Sequence, residues 1–235
     1  MDSTTRDLRY LQHKDKFLQH SFLALGEHFR SRDDFLAYFD SIKAEIRKSL
    51  FLRTASFYLF LVKRGDWTVD IPDSRKVIDY LTNTYKYVAI FSLIESLSEE
   101  KYIDFYQFLV RRKSHIQFPI DNRVKLDEHY RNYKAEFGSI QRCVSFFSAL
   151  SVDRQRELVS RLEVRGTKAS IENMAKYLYD LRSTFVHEAE LVHHMSFGTS
   201  VSWKSGHMVI CKLSIKDAMA FFEEGIIEHF RESST

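Results

Sequence analysis

The sequence predicts an all-α protein, a helical bundle in which one segment suits a small β-hairpin. Apolar side chains recur every three or four residues over most of the 235-residue chain, which is the spacing of amphipathic helices. Only 7 glycines and 2 prolines occur, so tight turns are few. Hydrophobic residues make up 44% of the chain and include 20 phenylalanines, which is enough to fill an aromatic core.

We expect four helices in the first half of the chain. Apolar periodicity defines each helix, and polar or proline-containing breaks separate them. Ser31 suits the N-cap of the second helix, and Pro72 with Asp73 marks the start of the third. The helices are predicted over residues 6–30, 34–63, 73–98 and about 99–112.

The second half opens with a predicted loop around Pro119 and then returns to helices. Ser151, Ser170 and Ser214 each suit an N-cap position, because a serine hydroxyl can accept a hydrogen bond from a backbone amide of the first turn. We expect helices over residues 126–150, 170–194 and 214–231. A further helix is expected to begin at residues 151–154 and to end before the break at 166–168.

The pattern changes between the last two helices. Glycines appear and apolar residues alternate, which predicts a β-hairpin near residues 197–212. We expect Val201 and Trp203 to lie against Val209 and Cys211. No linker divides the chain, so we predict one helical domain over residues 1–235, with a helical N-terminal extension over 1–65 and a core over 73–232.

Composition narrows the class of protein. The 35 Lys and Arg residues against 32 Asp and Glu leave a net charge of +3, which neither requires nor excludes nucleic acid. The first residues hold no apolar signal segment, and no apolar run approaches the roughly 20 residues of a membrane helix. Cys143 and Cys211 form no CxxC pair, so reduced thiols and a cytoplasmic location without membrane association are expected.

Residues 171–194 form the helix with the most chemical information. Arg182 lies at the edge of its apolar face, where arginine rarely occurs unless it is paired. Ser183, His187 and Glu190 lie together on another side. Arg182 and His187 are about 140° apart around a regular helix, so they meet only through the reach of the arginine or between two copies of the helix. The apolar face consists of Ile171, Met174, Leu178, Leu181, Phe185 and Ala189.

Within this helix, the segment YLYDLRSTFVH at residues 177–187 resembles the hallmark of HEPN domains (higher eukaryotes and prokaryotes nucleotide-binding). That hallmark is an arginine followed, after four to six residues, by a histidine near the end of a long helix. The similarity is greatest to the ApeA-like branch, which FSLIESL at 91–97 and LSIKDAMAFFEEGI at 213–226 also resemble. These similar segments are spread over roughly the C-terminal two-thirds of the chain.

The resemblance implies a HEPN-like homodimeric bundle that cleaves single-stranded RNA without a metal or other cofactor, at an Arg/His site in the dimer interface. His187 would transfer protons, and Arg182 would hold the scissile phosphate. Independently of the resemblance, Glu95 lies among apolar residues of its helix, so it would either pair with Arg182 or His187 and orient that residue, or pair with a nearby lysine. Family members often act as toxins or in phage defence, which implies an antitoxin or a nucleotidyltransferase as a partner.

Other residues bear on whether this site is catalytic and what it binds. Ser183 follows the arginine where active HEPN members commonly carry Asn, Asp or His, which keeps open a non-catalytic HEPN module that binds nucleotide, RNA or protein. The basic cluster Arg111, Arg112 and Lys113 would contact an RNA backbone or simply complement a helix dipole. A zinc-protease motif is disfavoured because position 191 is leucine. A structural helical protein in which Arg182 pairs with a buried carboxylate is the third possibility.

Overall fold

The structure, a computed structural model, describes residues 8–66, 75–98, 103–111, 116, 118, 120, 122–166, 169–189, 195–196, 199–204 and 207–231. Helices dominate these residues and one small antiparallel sheet accompanies them, which confirms the predicted fold class. The elements are α1 (Arg9–Gln12), α2 (Lys14–Leu25), a 3₁₀ turn (Gly26–His28), α3 (Arg32–Ser41), α4 (Glu45–Tyr58), a π-helical turn (Leu59–Lys63), α5 (Arg75–Ser96), α6 (Phe105–Arg111), α7 (Arg123–Phe137), α8 (Ser139–Ser148), α9 (Val152–Ser160), β1 (Leu162–Val164), α10 (Ile171–Glu188), β2 (Ser200–Lys204), β3 (His207–Cys211) and α11 (Ile215–Phe230).

Serine caps start the helices where the sequence predicts them. The hydroxyl oxygen of Ser170 accepts a hydrogen bond from the backbone amide of Asn173 at 3.1 Å. Ser214 and Asp217 form a reciprocal capping box at the start of α11. Ser31 and Ser151 cap α3 and α9 through their hydroxyl oxygens, as Ser170 does. Each cap satisfies an amide that the first helical turn leaves without an intrahelical partner.

Three helices predicted as continuous are broken, and helix 170–194 is shorter than predicted. Helix 6–30 is interrupted at His13, and its α-helical part ends at Leu25. Helix 34–63 is interrupted after Ser41, where Ile42 becomes extended and is fully buried. Helix 126–150 breaks at Gly138, where a Cβ atom would lie only 2.2 Å from the backbone oxygen of Lys134. Helix 170–194 ends at Glu188, because Ala189 adopts a left-handed conformation with φ 54°. Residues 190–194 lie outside the described part.

The predicted hairpin is present, but its register differs by one residue. Val201 pairs with Ile210 and Trp203 with Met208, not with Val209 and Cys211. The reason is burial: Val209 and Cys211 face the core, so Val201 and Trp203 face solvent on the opposite side of the sheet. The sequence analysis also missed β1, whose three residues pair with β3 and are too few to show alternation.

One hydrophobic cluster joins the first and last parts of the chain. Phe51 and Tyr58 of α4 are fully buried in it with Phe222 and Phe230 of α11. The residues assigned to an N-terminal extension therefore share a core with the last helix. A smaller cluster around Phe108 is formed by α6, α7 and residues near them. In the described ranges, no helix is long and apolar enough to cross a membrane.

A buried carboxylate reinforces the contact between the two ends of the chain. Glu223 of α11 accepts a hydrogen bond from the Tyr58 hydroxyl at 2.5 Å, and its other oxygen lies 2.7 Å from Nε2 of His28. Nζ of Lys63, in the π-helical turn, lies 3.2 Å away. Burial alone would raise the pKa of Glu223, but hydrogen bonds from His28 and Tyr58 and the charge of Lys63 together lower it.

Gly225 permits a close approach between α11 and α8. A Cβ atom at this position would lie 2.3 Å from Cζ of the buried Phe146 ring. We therefore predict that Gly225→Ala lowers the free energy of unfolding by about 1 to 3 kcal/mol, measured by urea denaturation. Alanine normally stabilises a helix interior relative to glycine, so the sign distinguishes the close contact from helix propensity. The loss should shrink in a Phe146→Leu background, and a stabilising Gly225→Ala would contradict the contact.

The lowered pKa of Glu223 predicts a pH dependence of stability. Its ionised form stabilises the folded chain above the ordinary glutamate range, and this contribution is lost as the pH falls through the lowered pKa. Glu223→Gln should lower the free energy of unfolding by about 2 to 3 kcal/mol at neutral pH, and less at about pH 4.

The matched control for this prediction is Glu228→Gln on the same helix. Glu228 pairs with Arg231 at the surface, with 31% and 59% of the two side chains exposed. That change should cost less than about 1 kcal/mol at either pH. An equal loss for Glu223→Gln at both pH values would show that the carboxylate charge does not contribute.

Candidate active site

Arg182 points from α10 towards the C-terminal end of α5, where it meets Glu95. Nη2 of Arg182 lies 3.4 Å from Oε1 of Glu95, and the two side chains are 16% and 25% exposed. The guanidinium carbon also lies 5.6 Å from the ring centre of Tyr179, one turn earlier on α10. The predicted pairing of Glu95 with Arg182 is therefore present, while its role in catalysis stays a prediction.

Aromatic contacts between α5 and α10 hold this pair in place. The hydroxyl of Tyr87 donates to the backbone oxygen of Leu178 at 2.6 Å, and both residues are buried. Phe91, one turn further along α5, packs against Tyr179 with ring centres 6.4 Å apart. Glu95 follows one turn later on the same face. The spacing of four residues along α5 thus brings the carboxylate to Arg182.

Two further arginines bind the end of α5. Nη1 of Arg142, from α8, donates to the backbone oxygen of Glu95 at 3.3 Å. Nη2 of Arg53, from α4, donates to the backbone oxygen of Ser96 at 2.9 Å. Carbonyls at a helix C-terminus lack intrahelical partners and favour cations. Neither residue was predicted from the sequence as a site candidate, although an arginine inside the apolar run 50–62 was a usable signal.

The arginine cluster, here Arg53, Arg142 and Arg182, is incompletely neutralised. Within the described ranges, Glu95 is the only carboxylate that forms an ion pair with any of the three. Nε of Arg182, Nη2 of Arg142 and Oε1 of Glu95 are each buried without a hydrogen bond. The 3.4 Å separation of Arg182 and Glu95 also exceeds the roughly 2.8 Å of a charge-assisted hydrogen bond. The ion pair is therefore loose, and donors remain available around it.

His187 and Ser183 lie elsewhere on α10. His187 is exposed one residue before the helix ends, beside Val186, which is 47% exposed. Ser183 is half-buried. Among the residues that the structure describes, none forms a hydrogen bond or ion pair with His187. One chain therefore does not bring Arg182 and His187 together, as their angular separation predicts.

The remaining predicted residues are not joined to this cluster. Arg111 is exposed at the end of α6, and no described contact links it to Glu95 or Arg182. Glu190, Arg112 and Lys113 lie outside the described residues. No group of three His, Cys, Asp or Glu side chains that could hold a metal ion occurs in the described part of the chain.

Neither cysteine is suited to nucleophilic chemistry. Both are free thiols buried in the core. Burial raises the pKa of Cys143, and the charge of nearby Glu95 raises it further. Burial likewise raises the pKa of Cys211 to about 11. Protonated, inaccessible thiols are poor nucleophiles, so the chemical candidates near this helix are the guanidinium of Arg182 and the imidazole of His187.

Arg182 can bind an oxyanion and His187 can transfer a proton, which is a pair of functions that phosphodiester cleavage requires. Comparison with known proteins adds no homologue. No family model matches the chain, and neither a search of curated proteins nor a search of solved structures finds a match. The likeness to HEPN domains therefore rests on the sequence motifs.

Proposed function

We propose that this protein is a metal-independent endoribonuclease of the HEPN type that cleaves single-stranded RNA. The observation that carries the proposal is the arrangement along α10. Arg182 is held in a half-buried position by Glu95, and His187 is exposed at the helix end in the Arg-x4-His spacing. A guanidinium that can stabilise negative charge on a phosphate and an accessible imidazole that can transfer a proton suit metal-free RNA cleavage.

The chemistry follows from the properties of the two side chains. His187 accepts the proton of an RNA 2′-hydroxyl, whose oxygen attacks the neighbouring phosphorus. The bond from phosphorus to the 5′-oxygen breaks, and that oxygen takes up a proton from water as it leaves, while His187 returns its proton to the solvent. Arg182 donates hydrogen bonds to the non-bridging oxygens, where negative charge grows. The products are a 2′,3′-cyclic phosphate and a 5′-hydroxyl.

The geometry favours a site shared by two copies of the chain. Arg182 faces α5 within its own chain, whereas His187 and Val186 face outwards. In a symmetric dimer that pairs the ends of two α10 helices, His187 of one copy is placed to approach Arg182 of the other. We infer a homodimer on this basis. A toxin or defence role, with an antitoxin or a nucleotidyltransferase as partner, is part of the same proposal.

A non-catalytic HEPN module is the second candidate. The observation in its favour is that Glu95 already occupies Arg182 and that Ser183, the next residue, carries no charge. Such a module would bind RNA, nucleotide or a protein without cleaving it. Cleavage assays separate the two candidates directly.

The proposal predicts RNA cleavage in the presence of EDTA. Purified protein should cut labelled single-stranded RNA to products with 2′,3′-cyclic phosphate ends and leave single-stranded DNA intact. The double variant Arg182→Ala/His187→Ala should be slower by at least about 100-fold. A matched control, Arg156→Ala/His13→Ala, changes two exposed residues and should retain activity. Equal cleavage by both double variants would place the site elsewhere.

A shared site also predicts complementation between two inactive variants. Arg182→Ala and His187→Ala proteins, mixed in equal amounts and allowed to exchange subunits, form heterodimers that keep one intact site. Random pairing then restores about a quarter of wild-type cleavage. If each site lies within one chain, no heterodimer contains an intact site, and the mixture stays as inactive as its components.

A further inference from the structure

We propose that Glu95 is a built-in counter-ion that RNA displaces, and that Arg142 then joins Arg182 on the same RNA phosphate. This inference rests on the proposed function, because it assigns the RNA contacts of that site. It adds a residue that the HEPN motif does not contain, and it assigns Glu95 a role that opposes RNA binding in the free protein.

The first support is the unused hydrogen-bonding capacity between the two arginines. Arg142 donates through Nη1 to the backbone oxygen of Glu95, while its Nη2 is buried and donates to nothing in the described structure. Arg182 approaches the Glu95 carboxylate through Nη2, while its Nε is likewise buried and unused. Buried donors without acceptors are uncommon in folded proteins and mark places where a ligand or ion supplies the acceptor.

The second support is that both arginines contact the same residue, Glu95. Arg142 contacts the backbone of Glu95, and Arg182 contacts its side chain. A group that replaces the carboxylate therefore meets Arg182 directly and lies near Arg142, whose free Nη2 is the further donor we assign to it. The Glu95 side chain is 25% exposed and its Oε1 accepts no hydrogen bond, so a phosphate that replaces the carboxylate displaces the loose ion pair and the interaction of Glu95 with Tyr179.

The third support is the local charge. Arg53, Arg142 and Arg182 converge on the end of α5, where Glu95 is the one carboxylate paired with them in the described ranges. Removing that carboxylate from Arg182 leaves positive charge that requires an anion. A phosphodiester suits the site because its two non-bridging oxygens can each accept from a guanidinium fork.

Binding of single-stranded RNA by a His187→Ala protein tests this exchange, since cleavage is then blocked. Affinity is measured by fluorescence anisotropy with a labelled RNA over a range of salt concentrations. In this background Glu95→Gln should tighten binding about 3- to 10-fold, because the competing charge is gone. Arg142→Ala should weaken binding about 10-fold and lower the slope of log affinity against log salt by about one.

Two control variants remove one carboxylate and one arginine that lie outside the arginine cluster. Glu172→Gln removes a carboxylate at the other end of α10, where Glu172 pairs with Lys176 at the surface. Arg156→Ala removes an exposed arginine of α9 that is 75% exposed. Each should alter affinity by less than about twofold. Circular dichroism confirms folding, and Arg142→Lys serves if Arg142→Ala does not fold, because lysine keeps the charge and the slope but loses the bidentate fork.

The outcomes separate this inference from the proposed function. If RNA binds but Glu95→Gln leaves its affinity unchanged or weakens it, the counter-ion exchange is wrong and the ribonuclease proposal stands. If the variants respond as predicted but the wild-type protein never cleaves RNA, the exchange is supported for a binding module and catalysis is rejected. If no variant binds RNA, both proposals are overturned.

Discussion

The buried carboxylate of Glu223 is the interaction on which the rest of the architecture depends. It accepts a hydrogen bond from the Tyr58 hydroxyl, contacts His28 and forms an ion pair with Lys63. These three residues belong to different elements in the first third of the chain. A buried charge is tolerated only when such partners surround it, so these segments and α11 must keep one relative position. The last helix therefore becomes a fixed support for the first helices rather than an independent element.

That support determines where the other helices lie. Gly225 lets α8 approach α11 closely through Phe146. The thiol of Cys143, also on α8, donates to the backbone oxygen of Ala175 on α10 at 3.4 Å. These buried contacts fix α8 relative to α11, and α10 relative to α8. In this way α4, α8 and α10, which are distant in sequence, come to surround the end of α5.

The arginine cluster is the functional consequence of this packing. Arg53, Arg142 and Arg182 each come from one of those three helices and meet at the carbonyls and carboxylate near Glu95. Two of the guanidinium groups stabilise the helix end, which fixes their orientation. Arg142 and Arg182 leave donors unused, and in the described ranges Glu95 is the one carboxylate paired with the cluster. Structural and proposed functional roles thus coincide at one helix terminus.

Local signals in the sequence predicted a large part of this structure. Helical periodicity and serine caps such as Ser170 and Ser214 are properties of neighbouring residues, so the starts of α10 and α11 were predictable. The pairing of Glu95 with Arg182 was also foreseen, because each is a charge at the edge of an apolar stripe. The break at Ile42 and the hairpin register were not, since both depend on which side chains the core buries.

The rest of the site depends on contacts between distant segments. Arg142 and Arg53 act through backbone carbonyls of α5, and a backbone acceptor leaves no trace in the sequence. The cluster around Glu223 joins residues 165 and 195 positions apart, a separation that periodicity does not resolve. His187 remains a residue identified from its motif, because within one chain the fold places no described partner beside it.

A crystal structure of the protein with a short single-stranded RNA, made uncleavable by a 2′-deoxy sugar at the scissile position, tests the central claim most directly. The account predicts a dimer in which that phosphate contacts Arg182 of one copy and lies beside His187 of the other, with Glu95 withdrawn from the arginine. RNA bound away from the end of α5, or the two residues left apart with Glu95 still on Arg182, would contradict it.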